Sequence, residues 1–137
     1  MANILYGVCG EGYGHSSRVD QVTKWLEELD HTVDIATFGD GLDYFEGREN
    51  LIEIQGLRYG LNQDGSINKF KTLYNFTTNW LFNNSNHKKY TNRRYDLILS
   101  DFEPSVCWYA RKKKIPLVIM WKKTLKKQES TWLALLD

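Results

Sequence analysis

The sequence predicts an α/β domain, with about five parallel strands in one sheet flanked by helices. Short apolar runs alternate with amphipathic stretches along the chain, and parallel neighbours need such crossovers. The runs are apolar throughout rather than every second residue, as in strands covered on both faces. At 137 residues the chain is long enough for one core but short for a two-domain enzyme.

Asn3 to Cys9 (NILYGVC) is the first strand, closed by glycines. A helix is expected from about Ser17, with Ser17 and Asp20 as a capping pair. Its apolar face would hold Val19, Val22, Leu26 and Leu29, with Trp25 beside them. Thr32 to Phe38 is the second strand, ending at Gly39-Asp40-Gly41, and 41–48 reads as a short helix or turn. Leu51 to Ile54 is a weaker third strand. Residues 56–66 are loop-like around the Asp64-Gly65 turn. A helix is expected from Ile67 to about residue 90, fraying over its polar later turns. Leu97 to Leu99 is the fourth strand, and Pro104 opens the next helix. Val106, Trp108, Tyr109 and Ala110 form its apolar side, and Lys112-Lys113-Lys114 end it. Leu117 to Met120 is the fifth strand.

In the common order 3-2-1-4-5, strands one and four meet at the topological switch point. The loops after them, 10–16 and 100–105, then face each other at the carboxyl edge, where ligands bind. The domain is assigned to residues 1–120. Residues 121–137 (WKKTLKKQESTWLALLD) form a basic amphipathic or irregular tail.

No stretch approaches the 18 apolar residues of a membrane span, and no basic segment precedes the first apolar run. Two cysteines, Cys9 and Cys107, suit a reducing compartment. A cytoplasmic protein is expected. The net charge of +1 conceals an asymmetry: residues 1–67 carry 12 acidic and 4 basic side chains, residues 68–137 carry 5 and 14. Either these are solvated faces attracting one another, or the basic half meets an anionic membrane surface, a phosphorylated acceptor or an acidic partner.

The segment Gly10-Glu11-Gly12-Tyr13-Gly14-His15 fails as a dinucleotide fingerprint, because position 15 is His. It also lacks the Gly-Lys-Ser/Thr of a P-loop. Asp40 sits where a ribose-binding acid would, and also where acidic turns are common. His15 is either a surface histidine in a tight turn or a general base at a helix start, where the dipole favours its neutral form. Across the switch point lie Asp101 and Glu103. Asp101 either caps the helix behind Pro104 or orients the imidazole through one ring nitrogen.

Three segments, GVCGEGYGHSSR, HTVDIATFGDGLDYF and DLILSDFEPSVCWYARKKKIPLVIM, resemble the N-terminal, acceptor-binding half of GT-B glycosyltransferases. The nearest group is the MurG-like and UDP-glycosyltransferase-like one, and the resemblance covers residues 3–120. It implies a Rossmann-like domain taking part in hexosyl transfer from a nucleotide-sugar donor, which is a substrate rather than a cofactor. His15 aligns with the residue that deprotonates the acceptor in many inverting members, and Asp101 with its orienting carboxylate. Gly10, Gly12, Gly14, Ser16 and Glu103 are the implied substrate-binding positions.

No metal and no nucleic acid are expected. Members carry a second, donor-binding domain without counterpart here, so the chain is expected to be the N-terminal half of a truncated or split enzyme, active only with a donor-domain partner chain. The alternatives are a non-catalytic remnant that keeps the fold and a small nucleotide-binding Rossmann-like module.

Overall fold

A computed structural model describes residues 1–56, 60–91 and 93–120, without the side chains of 76 and 79–84. The tail over 121–137, Tyr59 and the side chains of Phe76 and Trp80 (the last three expected as core or groove lining) lie outside the described residues. The elements are β1 (Asn3–Val8), α1 (Tyr13–Glu28), β2 (Thr32–Thr37), α2 (Asp40–Tyr44), β3 (Leu51–Glu53), α3 (Lys69–Tyr90), β4 (Leu97–Asp101), α4 (Pro104–Lys113) and β5 (Leu117–Ile119). All pairings are parallel, in the order β3-β2-β1-β4-β5. The expected order is the one observed.

Successive side chains of β1 alternate between two cores, as a pleated strand covered on both faces requires. Ile4, Tyr6 and Val8 join Val33, Ile35 and Leu99 and pack against Val19 of α1 and Phe45. Leu5 and Cys9 join Ala36, Ile98 and Tyr95 against Tyr90, Val106, Tyr109 and Ala110 of α3 and α4. A sheet covered on both sides leaves its strand ends as the open edges.

Three helix readings are corrected. First, α1 starts at Tyr13, not near Ser17. Gly12, with φ 72°, is the N-cap, and Ser17 donates its hydroxyl to the Gly14 carbonyl (3.1 Å) instead of capping. Trp25 and Leu29 are exposed. Second, α3 does not fray over its polar end. Asn86 is buried and pairs amide to amide with the Gln55 backbone (3.0 and 2.9 Å), and the Tyr90 hydroxyl shares a 2.8 Å bond with Ser105. In α4, Trp108 is exposed rather than part of the apolar side.

The β1–α1 loop packs onto the β2–α2 turn so closely that only glycine fits at position 10. A Cβ there would lie 1.6 Å from the Phe38 carbonyl oxygen. The Gly10 carbonyl accepts from Asp40 N (2.9 Å), and the Asp40 carboxylate accepts from Gly12 N (2.8 Å). Gly10→Ala must push two backbones apart and is expected to cost about 1–3 kcal/mol in chemical unfolding. An unchanged midpoint would show that the two loops separate freely.

Candidate active site

β1 and β4 are neighbours whose following helices leave towards opposite sides of the sheet, so a crevice opens at their carboxyl ends. Cys9 N donates to Asp101 O (3.0 Å), holding the strands together to their last residues. His15 stands in the first turn of α1 on one wall. Asp101 closes β4 on the other.

The structure brings these two together. His15 Nδ1 lies 2.8 Å from Asp101 Oδ1, and Nε2 makes no hydrogen bond among the described residues. The His15 side chain is 32% exposed and that of Asp101 only 1%. A carboxylate only accepts, so Nδ1 carries a hydrogen towards Asp101, and in the neutral ring the lone pair is then on Nε2.

A third group, Arg18, was not singled out from the sequence. Its Nε donates to Asp101 Oδ2 (2.7 Å) and its Nη2 to Oδ1 (2.5 Å), a bidentate pair. This carboxylate contact pushes the guanidinium pKa above its ordinary value. Nη2 also lies 3.3 Å from His15 Nδ1. The available signal was spacing: residues 15 and 18 are i,i+3 neighbours on one helix face, so a carboxylate reached by one is within reach of the other.

The segment Ser100 to Pro104 makes this possible residue by residue. Ser100 Oγ donates to Glu103 O (2.8 Å) and accepts from Glu103 N (3.2 Å), closing a tight turn. Phe102, at its apex, has φ 59°, a left-handed conformation costing a non-glycine residue about 1–2 kcal/mol. Its half-exposed ring stacks on the His15 imidazole, with centroids 6.0 Å apart and planes at 25°. Glu103 then caps α4, its carboxylate accepting from Ser105 N (3.0 Å), and Pro104 follows at the first helical position.

The other sequence-derived positions fall elsewhere. Gly10 makes its close approach to Phe38, inside the domain. Gly14 faces open space beside His15. Ser16 is fully buried, without a hydrogen bond from its hydroxyl among the described residues. Glu103 is 2% exposed and joins neither His15 nor Asp101. Tyr13 in α1, Tyr44 in α2 and Phe102 in the β4–α4 turn are exposed aromatics. Among the described residues no group of three or more His, Cys, Asp or Glu is placed to hold a metal ion.

Burial pushes the Glu103 carboxyl up to about 7, against an ordinary 4.5, and one of its oxygens has no partner. A folded-state value above the unfolded one means stabilisation that is complete below about pH 4.5 and lost as pH rises through about 7. The melting temperature should therefore fall between those limits, and Glu103→Gln should flatten this slope. A slope unchanged by the substitution would assign the pH dependence to other groups.

The chain matches the family model described as Glycosyl transferase family 1 over residues 2–131. The chain belongs to that family. No curated protein matches it. Among solved structures, the C-terminal domain of a hydrogenase from Pyrococcus furiosus is similar at a TM-score of 0.56 and 13% identity, covering 87% of this chain and 91% of that one. The UDP-glycosyltransferase UGT73P12 of Glycyrrhiza uralensis, complexed with glycyrrhetinic acid 3-O-monoglucuronide, is similar at a TM-score of 0.50 and 12% identity. That match covers 87% of this chain and 28% of the plant protein. At such identities the likeness shows the fold alone. This family 1 domain is Rossmann-like, one parallel five-stranded sheet as in half of a GT-B glycosyltransferase. Among the described residues no helix is long and apolar enough to cross a membrane.

Proposed function

We propose that this domain is the acceptor-side half of a nucleotide-sugar-dependent glycosyltransferase and that His15 is its base. The reading rests on one observation above the others: an imidazole anchored at Nδ1 by a buried carboxylate, with Nε2 unpartnered at a switch point. In the proposed step, Nε2 takes the proton of an acceptor hydroxyl as the oxygen attacks the anomeric carbon of the donor. The bond from that carbon to the phosphate oxygen breaks, and the nucleoside diphosphate leaves with the electron pair. Asp101 holds the ring and stabilises the imidazolium. Phe102 and Tyr13 offer exposed aromatic faces to an acceptor.

The donor is gripped, in this reading, by a second domain, on the same polypeptide or on a partner chain. Family membership and the match to only 28% of the plant protein support that division. The test is release of nucleoside diphosphate from a nucleotide sugar by the domain assayed with its donor-binding half. Release that depends on both acceptor and His15 supports the assignment. Equal release by wild type and His15→Ala sinks it.

A further inference from the structure

We propose that the cavity between the α3–β4 and α4–β5 connections binds a phosphate-bearing anion, at the edge of the sheet opposite His15. β4 and β5 are parallel neighbours, so the segments leading into them must lie side by side at their amino ends. Both segments are basic. Topology thus brings Arg93 and Arg94 to Lys113 and Lys114, 20 residues further along the chain. Together with Tyr95, Asp96 and Tyr109 these line a cavity of about 550 Å³, which is room for a diphosphate or a phosphorylated headgroup.

One of the four cations is paired, and one acid shares the lining. Arg93 pairs with Asp34 (3.2 Å), and Asp96, which accepts from Asn3 N (2.9 Å), is the acid in the lining. Arg94, Lys113 and Lys114 make no ion pair among the described residues. The carboxyl end of α4 accounts for cations in its last turn, where Arg111 and Lys112 also stand. Lys114 is the C-cap of that helix, with φ 56°, a left-handed conformation that glycine adopts without strain. Tyr109 adds a hydroxyl to this lining. It is 5% exposed, lines the cavity, and makes no hydrogen bond among the described residues. Unpaired cations and a hydroxyl lining one cavity are a donor set for phosphate oxygens.

The experiment is calorimetric titration of the full chain with inorganic pyrophosphate at low salt. Saturable binding is expected, weakened about tenfold or more in Arg94→Gln/Lys113→Gln and about unchanged in the control Lys69→Gln/Lys88→Gln. Lys114→Gly separates ligand binding from fold. It should raise the melting temperature by relieving the backbone, yet weaken pyrophosphate binding. Flotation with phosphatidylglycerol vesicles distinguishes the source. Vesicle binding released by pyrophosphate identifies a lipid headgroup, whereas pyrophosphate binding without vesicle binding identifies a soluble phosphate compound. No saturable binding to wild type, or equal binding by the Arg94/Lys113 double variant, overturns the proposal.

Discussion

Replacing His15 with alanine is expected to lower glycosyl transfer by about 10²–10⁴-fold, the range a positioned general base supplies. Stability should change little, within about 1 kcal/mol, because the ring is partly exposed and the buried Asp101–Arg18 pair is kept. The pH profile distinguishes a lost base from a lost contact. A base works only unprotonated, so wild-type transfer should fall on the acid side as the imidazole takes up its proton. The residual rate of His15→Ala should lack that acid limb. Added imidazole should restore part of the rate, since the ring it replaces is reachable from solvent. A variant near wild-type rate, or one that keeps the acid limb, would assign proton transfer to another group.

The sheet was legible because its strands are buried on both faces and so read as continuous apolar runs. Their order then placed 10–16 against 100–105 without any side-chain detail, and His15 does meet Asp101 there. The start of α1 was not legible. A stretch with glycines at 10, 12 and 14 has little intrinsic helicity, so the eye moves on to Ser17, while the turn is made by the backbone of Gly12. The polar end of α3 misled for the opposite reason: Asn86 looks like a solvated residue and is a buried partner of the Gln55 backbone.

At the site, the sequence makes Asp101 a candidate cap, because aspartate is the usual N-cap residue and glutamate is not. Glu103 takes it, which leaves the whole Asp101 carboxylate to His15 and Arg18. Arg18 escaped notice because a lone arginine on a surface helix reads as solvated charge. Only the position of Asp101 in three dimensions gives it a partner.

Arg18→Ala is expected to be the most destabilising change at the site, about 3 kcal/mol in chemical unfolding. Breaking a buried pair by removing one partner leaves the other charge uncompensated, and Asp101 cannot reach water from 1% exposure. Partial exposure of Arg18 itself, at 34%, keeps the figure at the low end for such pairs. Lysine should rescue poorly, since one ammonium cannot reproduce the two parallel bonds to Oδ1 and Oδ2.

A second readout separates Arg18 as a positioning residue from a purely structural one. With Arg18 present, the Asp101 charge is shared between guanidinium and imidazole. Without it, the carboxylate serves His15 alone and favours the imidazolium more strongly. The acid limb of transfer should then move to higher pH in whatever fraction of Arg18→Ala remains folded. Asp101→Asn removes the carboxylate from both partners and should move the limb the other way. If Arg18→Ala destabilises the fold but leaves the acid limb in place, Arg18 holds the strand end and takes no part in setting the base.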